Sequence, residues 1–189
     1  CFDVLNSVYE VKILLFTEAL YNKYPEKVKQ LSASSGASYL ISDDVAAKLG
    51  ETSTSQGIFA VCEMSDLSKG ICGDKIIALD NVQDPSNVGA IIRTAEALGI
   101  DCIIAYKCCD IFNSKALRAS MGSILRMNVV DTVSLLDTLS NLKEKYKIYS
   151  TVPDSTAVNI TTLDFSKQRI CVIGNEENGV EDDVKNISH

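Results

Sequence analysis

One stretch of the sequence joins an apolar run, a polar loop and a helical pattern, and it constrains the fold more than any other. The apolar run at residues 75–79 leads into a loop that contains Pro85. The helical pattern begins at Asn87, a favoured helix N-cap, and carries Arg93 on its second turn. Gly89 lets backbone or a ligand approach closely. A strand, a polar loop and a helix N-terminus in this order predict a ligand site at the edge of an open α/β sheet.

Two other interpretations use the same residues. A dinucleotide fingerprint needs three glycines in Gly-x-Gly-x-x-Gly spacing, and residues 80–97 contain only Gly89. An ordinary βα unit would need only a turn, a cap and a surface arginine, but here several polar residues coincide. Arg93 carries a permanently charged guanidinium that can bind phosphate, which favours a binding site over a plain turn.

The second part of the chain alternates apolar runs with helical patterns, which predicts an α/β fold with a parallel sheet and helices on both faces. The predicted strands lie at 75–79, 102–105, 127–130, 147–151 and 169–173. The predicted helices lie at 87–98, 114–120 and 133–146, and a further one begins near residue 180.

The first 66 residues predict a smaller α/β domain. Its strands are expected at 11–17, 38–41 and 57–62, its helices at 25–34 and 43–49, and a polar loop at 52–56. Residues 63–74 are rich in serine and glycine and are typical of a linker, so we divide the chain into domains at 1–66 and 67–189. Because the first strand follows so soon after Cys1, we expect the opening helix of the first domain to be missing.

Composition excludes several classes of protein. Of the 189 residues, 46% are hydrophobic, yet no apolar run approaches the ~20 residues of a membrane span. A net charge of −7 disfavours non-specific coating of nucleic acid and leaves room only for a local basic site. The seven cysteines have no paired spacing, which argues against both a disulfide framework and a zinc site. We therefore expect no metal, no membrane and a reducing cytoplasmic location.

A second motif follows the apolar run at 170–173, which suits a strand buried on both faces. It reads Gly174-Asn175-Glu176-Glu177-Asn178-Gly179. Two glycines that bracket polar residues predict a tight loop with exposed amides. A carboxylate there can accept hydrogen bonds from a ribose hydroxyl or from the backbone, or orient a cation. Taken alone, the motif fits a glycine turn with solvated acids equally well.

Taken together, the two motifs resemble motifs 1 and 2 of the SpoU (TrmH-type) RNA 2′-O-ribose methyltransferases of the SPOUT superfamily. The matching patterns are Asn87-x-Gly89-x-x-x-Arg93 and Gly174-x-Glu176-x-x-Gly179. Residues 114–123 are similar to that family's internal Ser/Gly segment. Residues 52–58 resemble the end of its small N-terminal substrate-binding domain, which is similar in fold to ribosomal protein L30e.

The resemblance implies a trefoil-knot domain. In the family, a third motif with a Pro-Met loop, a Ser-Leu-Asn run and a final helix threads a loop to make the knot. It also supplies much of the S-adenosylmethionine pocket. This sequence has no counterpart of that motif before His189, so we expect the C-terminal knot segment to be truncated.

The resemblance also implies a function: methyl transfer from S-adenosylmethionine to a ribose 2′-OH of rRNA or tRNA, by a homodimer with active sites near its interface. By resemblance, Arg93 would clamp a phosphate and activate the 2′-OH, and Asn87 would fix the geometry of the hydroxyl. Glu176 would hold Asn87 or Arg93 in place. The alternative is a non-catalytic RNA-binding or ribosome-assembly protein derived from the same family.

Further site residues follow from the resemblance. The predicted cofactor-binding residues are Gly174, Asn175, Gly179, Thr151 and Val152. The predicted RNA-binding residues are Arg93, Lys115, Arg118, Ser120 and Arg126. Helix capping explains Ser120 equally well, and each basic residue, taken alone, is more often a solvated side chain.

Overall fold

The structure is a computed structural model that describes residues 1–50, 55–64, 70–155, 157–164, 166 and 168–189. The chain divides into two compact units, Cys1–Ser65 and Asp66–His189. The predicted domain boundary after residue 66, the centre of the predicted linker and most of the polar loop at 52–56 lie outside the described residues. The likeness of the first unit to ribosomal protein L30e stays a prediction.

A three-stranded sheet organises the first unit. Strand β1 (Val11–Thr17) pairs parallel with β2 (Ala37–Ile41) and antiparallel with β3 (Ile58–Cys62), so β1 is central. The helices of this unit are α1 (Glu18–Lys23), α2 (Pro25–Ala33) and α3 (Asp43–Leu49), and a 3-10 helix covers Phe2–Asn6.

Helix α1 is not apparent in the sequence, because no turn separates it from β1. Thr17 is both the last residue of β1 and the N-cap of α1, where its hydroxyl oxygen accepts from the backbone N–H of Leu20 at 3.3 Å. The other two helices begin as predicted. Pro25 is the first residue of α2, and Ser42 caps α3.

Five parallel strands form the sheet of the second unit, as the alternating pattern predicts. The strands are β4 (Lys75–Asp80), β5 (Cys102–Tyr106), β6 (Asn128–Thr132), β7 (Lys147–Ser150) and β8 (Arg169–Gly174). Their order across the sheet is β6-β5-β4-β8-β7. The helices are α4 (Pro85–Ala97), α5 (Ser114–Ala119), α6 (Leu135–Leu142) and α7 (Asp182–Asn186), with 3-10 helices at Ser123–Leu125 and Ile160–Thr162. The predicted α/β fold class is confirmed, and the knotted C-terminal segment stays a prediction.

Apolar side chains cover both faces of this sheet, which explains why its strands read as apolar runs. On one face the strands pack against α4, and on the other face against α6 and α7. The core on the α4 side includes Leu79, Val88, Ile92, Ile103 and Ile124. The core on the other side includes Ile104, Leu135, Leu139, Ile148 and Val184. A sheet buried on both faces is costly to deform, so it holds the loops at its carboxyl edge in fixed positions.

Helix α4 begins two residues earlier than predicted, and Asn87 is not its N-cap. Asp84 caps the helix by accepting from the backbone N–H of Ser86 at 2.8 Å, and Pro85 is the first helical residue. Asp and Pro at these two positions satisfy both preferences of a helix N-terminus. The Asn87 side chain is therefore available for another contact.

Helix α6 is shorter than the predicted range of 133–146. Ser134 caps it by accepting from the backbone N–H of Asp137 at 3.2 Å, so the helix starts at Leu135. The preceding strand β6 extends to Thr132, two residues beyond its predicted end. The apolar pattern alone did not separate these two elements, because Val133 is apolar yet almost fully exposed between them.

Gly89 is required by the close approach of α4 to α5. A Cβ atom at Gly89 would overlap the carbonyl oxygen of Ala116 and would lie 2.7 Å from the Cβ of Ala119. The sequence predicts that Gly89 allows close approach of either backbone or a ligand, and the structure shows the approach of the α5 backbone. This contact fixes α5 against the helix that carries Asn87 and Arg93.

We expect the substitution Gly89→Ala to destabilise the second unit. Overpacking costs about 1–3 kcal/mol, and alanine gains about 1 kcal/mol over glycine within a helix. Because the overlap is with the backbone of α5, which cannot simply rotate away, the cost lies at the upper end of this range. The net loss in the free energy of unfolding is therefore about 2 kcal/mol, measured by urea denaturation. Gly70→Ala is the control, because a Cβ there meets no atom within 4 Å. A Gly89→Ala protein as stable as the wild type would contradict this packing.

Candidate active site

The candidate site lies at the carboxyl edge of the second sheet, where β4 and β8 end side by side. Asp80, the last residue of β4, is in register with Gly174, the last residue of β8. From β4 the chain continues to β5 and β6 on one side, whereas β7 and β8 lie on the other side. Ligand crevices of open α/β sheets form at such a reversal of strand order. Both sequence motifs follow strands that end here.

Asn87 and Glu176 form the central contact between the two motifs. Asn87 Nδ2 donates to Glu176 Oε1 at 2.8 Å, although 89 residues separate them along the chain. Because an ionised carboxylate only accepts, the amide must present its NH₂ group to Glu176. The carbonyl oxygen of Asn87 is then left as an acceptor for another group. Of the two partners predicted for Glu176, the structure brings Asn87 to it.

The environment of Glu176 favours its ionised form. The hydrogen bond from Asn87 is the main cause that lowers the pKa of Glu176 below its usual value. The backbone N–H groups of Glu176 itself and of Gln83 act in the same direction, while burial and the negative charge of Asp84 oppose them. Glu176 is therefore a carboxylate at neutral pH and orients the Asn87 amide.

Asn175 organises the loop after β8. The backbone N–H groups of Asn175 and Gly179 each donate to the carbonyl oxygen of the other residue, at 3.0 and 2.9 Å. Asn175 Oδ1 accepts from the backbone N–H groups of Glu177 at 2.9 Å and Asn178 at 3.1 Å. Its Nδ2 donates to the carbonyl oxygen of Asn81, just after β4, at 2.9 Å. Since both ends of this side chain are bonded within the protein, Asn175 shapes the loop.

The two glycines of this loop serve different purposes. A Cβ at Gly174 would overlap the backbone of Gly179 and Val180, so Gly174 lets the loop return onto its own strand. Gly179 has a φ of +70°, a conformation that favours glycine, and a Cβ there would meet no atom within 4 Å. Of the two, Gly179 is the one with open space beside it for a ligand.

A cleft of about 940 Å³ opens beside this loop. Its volume falls within the roughly 300–1,000 Å³ typical of small-molecule sites. All five predicted cofactor-binding residues line it, together with Glu176. Those five are Thr151, Val152, Gly174, Asn175 and Gly179. The structure therefore brings these residues together in one place; their contact with a cofactor stays a prediction.

Two further features of this cleft do not appear in the sequence motifs. Lys185 of α7 lines the cleft, and its ammonium group lies 2.9 Å from Asp182 Oδ1. No motif points to this lysine, because only the packing of α7 against the sheet brings it there. The hydroxyl of Thr151 donates to the carbonyl oxygen of Val172 at 3.0 Å, so this side chain is tied to β8.

A second, more apolar cleft of about 350 Å³ runs along α4. Its lining includes Asn87 and Ile91 of α4, Leu98 directly after this helix, and the end of β8. Ile173, Gly174 and Glu176 line both clefts. The Asn87–Glu176 pair therefore lies between two clefts: the one beside the glycine loop after β8, called the glycine-loop cleft below, and the apolar one along α4.

Arg93 does not join the Asn87–Glu176 pair within one chain. Six residues separate Arg93 from Asn87 on α4, which places it about 120° around the helix and about 9 Å further along. Arg93 is exposed, and among the described residues no hydrogen bond or ion pair of its guanidinium is recorded. Arg93 follows Gly89 by four residues, so it lies on the face of α4 that packs towards α5.

The structure separates the predicted RNA-binding residues into different groups. Lys115 and Arg118 are exposed on α5, next to the face of α4 that carries Arg93. The prediction that Ser120 contacts RNA is wrong in this structure. Ser120 is fully buried at the end of α5, and its hydroxyl donates to the carbonyl oxygen of Leu117 at 2.9 Å. Its role is that of a helix C-cap residue, the other interpretation of this position.

Arg126 is engaged within the protein. Its Nε lies 2.5 Å from Glu96 Oε1, and its Nη2 lies 2.9 Å from Glu96 Oε2. This two-point hydrogen bond from Arg126 is the main cause that lowers the pKa of Glu96. The pair joins α4 to the segment before β6 and engages the guanidinium that, by resemblance, was expected to contact RNA.

Three further observations concern metal ions, cysteine thiols and membrane-spanning helices. Among the described residues, no group of three or more His, Cys, Asp or Glu side chains is arranged to hold a metal ion. All seven cysteines are free thiols, and burial raises the pKa of the Cys102 thiol to about 11. In the described ranges, every helix is too short or too polar to cross a bilayer.

We expect Asn87→Ala to raise the pKa of Glu176, because it removes the contact that lowers this pKa most. Carboxyl carbon chemical shifts followed against pH measure the change. A lowered pKa in the folded state stabilises the protein above the unfolded pKa, and this contribution disappears as the pH falls through the folded pKa. Ionisation of Glu176 accounts for part of the difference in unfolding free energy between wild type and Asn87→Ala. That part should therefore vanish at acidic pH. Asn178→Ala is the control, and equal titration of Glu176 in wild type and Asn87→Ala would contradict the assigned cause.

The chain is similar to known methyltransferases. It is 36% identical over 146 residues to the 23S rRNA (guanosine(2553)-2′-O)-methyltransferase RlmP of Bacillus subtilis, a match that covers 76% of this chain and 57% of that protein. It is 32% identical over 173 residues to an uncharacterised tRNA/rRNA methyltransferase of Synechocystis, covering 87% of this chain and 61% of that protein. The chain thus spans less than two thirds of the length of either relative.

A solved structure shares the fold. The AdoMet-bound rRNA methyltransferase from Sinorhizobium meliloti covers 98% of this chain with a TM-score of 0.80 and 23% sequence identity, and the match covers 71% of that structure's chain. At this identity, the similarity shows the fold alone.

The family assignment rests on the part of the chain that forms the site. The sequence model of the SpoU rRNA Methylase family matches residues 74–189. This range contains β4 to β8, the Asn87–Glu176 contact and the glycine loop. The chain belongs to the SpoU rRNA Methylase family.

Proposed function

We propose that this protein transfers a methyl group from S-adenosylmethionine to a ribose 2′-OH of rRNA or tRNA. One observation carries the proposal: the Asn87–Glu176 pair stands on the wall of a glycine-loop cleft, at the point where the strand order reverses. Family membership supports the reaction class, since relatives of this chain are named as RNA 2′-O-methyltransferases. The AdoMet-bound structure with the same fold supports the cofactor.

The residues at the cleft fit S-adenosylmethionine. The ligand has an aromatic base, polar hydroxyls and charged amino and carboxylate groups, and the cleft offers Val152, loop backbone and Lys185. The open space beside Gly179 allows close approach to the backbone. When bound, the cofactor supplies an electrophilic methyl group on a sulfonium ion. Thr151, Val152, Gly174, Asn175 and Gly179 would hold it, and Lys185 suits its carboxylate.

The protein's own residues would prepare the hydroxyl. A ribose 2′-OH is a weak nucleophile until its proton is drawn off or its oxygen is oriented. Because the NH₂ group of Asn87 is bonded to Glu176, its carbonyl oxygen can accept a hydrogen bond from the 2′-OH and aim the oxygen. As the oxygen–methyl bond forms and the methyl–sulfur bond breaks, the hydroxyl proton would leave to water. Holding the reactants in this geometry is worth about 7–11 kcal/mol of barrier in favourable cases.

Arg93 would provide the positive charge. A guanidinium stays protonated at neutral pH, so it acts by clamping a phosphate and stabilising the developing alkoxide. Lys115 and Arg118 lie towards the same side, on α5, and would extend the phosphate contact. This local group fits a net charge of −7, because binding depends on a few placed cations and not on the whole surface.

We infer a homodimer as the active form. In one protomer, Arg93 points away from Asn87 around α4, so a complete site needs Arg93 from a second protomer. The exposed apolar side chain of Leu98 and the cleft beside α4 support an interface along this helix. The seven free thiols support a reducing cytoplasmic location.

We expect Arg93→Ala to lower methyl transfer at least about 100-fold, measured with labelled S-adenosylmethionine and total ribosomal and transfer RNA. Arg93→Lys should also be impaired, because lysine keeps the charge but not the two-point fork. Arg169→Ala is the matched control, since Arg169 lies at the opposite end of β8. Equal labelling by wild type and Arg93→Ala would remove Arg93 from the mechanism. Binding of cofactor and RNA without any transfer by the wild type would favour the non-catalytic alternative.

Mixing two inactive variants tests where Arg93 acts. If Arg93 serves the partner's site, a dimer of one Arg93→Ala chain and one Asn87→Ala chain contains one intact site and one doubly altered site. Random exchange of protomers should then restore about a quarter of the wild-type activity. If Arg93 acted on the Asn87 of its own chain, both sites would be altered and no activity would return.

A further inference from the structure

Asp80 is a fully buried carboxylate at the end of the central strand, and the mechanism above does not use it. Its side chain has 0% exposure. Asp80 Oδ2 accepts from the backbone N–H of Glu181 at 2.7 Å, across 101 residues of sequence. Within the described part of the chain, Oδ1 has no hydrogen-bond partner. A buried carboxylate with one oxygen unpaired costs free energy, so its place in the core calls for a compensating role.

The next residue, Asn81, holds the other end of the same loop. Asn81 has a φ of +60°, and its carbonyl oxygen accepts from Asn175 Nδ2 at 2.9 Å. Its own backbone N–H donates to the carbonyl oxygen of Tyr106 in β5 at 2.9 Å. Asp80 and Asn81 thus hold Glu181 and Asn175, the two ends of the glycine loop, against the central strand.

Between these two anchors the loop has its own internal bonds. Asn175 and Gly179 bond each other through the backbone, and Val180 is 1% exposed. Gly179 itself is partly exposed and faces open space. The loop is therefore fixed at its ends and open in its middle, where the cleft lies.

We propose that Asp80 is a positioning residue that holds the Asn175–Glu181 loop in the shape that receives the cofactor. This rests on the proposed function for the identity of the ligand, but the anchoring itself does not. Since Asp80 is fully buried, it acts through the backbone of Glu181 and not by direct contact with the cofactor. A loop ordered before binding loses less conformational entropy when the ligand arrives, and its affinity is higher for that reason.

The charges around Asp80 fit this role. Burial raises the pKa of Asp80, with Glu181 adding to the rise, while the Glu181 backbone hydrogen bond and the positive charges of Lys107 and Lys185 lower it. Lys107, the residue after β5, also supports this end of the loop, because its ammonium group lies 3.6 Å from Glu181 Oε1.

Three variants separate anchoring from general stability. Asp80→Ala removes the acceptor for the Glu181 N–H, whereas Asp80→Asn keeps a side-chain oxygen in that place. Asp101→Ala is the matched control. Asp101 also accepts backbone N–H groups, from Asp74 at 2.8 Å and Lys75 at 2.9 Å, but it does so at the opposite edge of the sheet. Two readouts apply to each protein: amide hydrogen exchange of residues 175–181 by NMR, and calorimetric titration with S-adenosylmethionine.

We expect Asp80→Ala to speed exchange of the Glu181 amide and to weaken S-adenosylmethionine binding by roughly 10–100-fold. Asp80→Asn should stay within about threefold of the wild type, since a neutral acceptor retains most of the bond. Asp101→Ala should change neither readout beyond its effect on global stability. Wild-type exchange and affinity in Asp80→Ala would overturn the proposal. So would equal losses in Asp80→Asn and Asp80→Ala, because the first keeps the acceptor.

Two outcomes need separate treatment. If Asp80→Ala does not fold, Asn175→Asp cuts the other anchor, because it removes the donor to Asn81 while keeping acceptors for Glu177 and Asn178. Faster exchange across the loop in that variant supports the anchoring, and unchanged exchange overturns it.

If the wild type binds no S-adenosylmethionine, the proposed function fails, and the exchange of the Glu181 amide alone decides whether Asp80 anchors the loop.

Discussion

The pairing of β4 with β8 is the interaction on which the candidate site depends. Paired residues of these strands lie 94 positions apart in the sequence, yet the strands are adjacent and in parallel register from Lys75↔Arg169 to Asp80↔Gly174. Their central residues are buried between two apolar cores, so the pairing is costly to open. It brings the polar residues after β4 beside the glycine loop after β8. Every contact of the site, from Asn87–Glu176 to Asp80–Glu181, follows from this one pairing.

At the start of α4, neighbouring residues have different roles at the carboxyl edge of the second sheet. Asp84 and Pro85 supply what a helix N-terminus requires, and Asn87 is therefore free to reach across to Glu176. Gly89 lets α5 pack closely against the same helix, and Arg93 follows on that side. Helix α4 thus presents the neutral Asn87 amide to the cleft and the charged Arg93 guanidinium to a different face. That separation within a protomer is the physical reason to expect a second protomer in the complete site.

The sequence predicted the elements that carry a strong pattern and missed those without one. The strands of the second unit were identifiable because burial on both faces requires continuous apolar runs. Helix α1 was missed because Thr17 both ends a strand and caps the helix. Asn87 is not the cap that its residue type predicts, because Asp84 caps the helix three residues earlier and Pro85 is its first residue. The burial of Ser120, the Arg126–Glu96 pair and the place of Lys185 depend on long-range packing, which no local pattern reveals.

The most direct test of the central claim is an NMR titration of the protein with S-adenosylmethionine, read from backbone amide shifts. If the edge between β4 and β8 forms the cofactor crevice, the largest shifts should fall in residues 151–155 and 174–180 and at Lys185, which line one cleft. Shifts centred instead on the cleft of the first unit, around Lys23 and Gln56, would contradict the account.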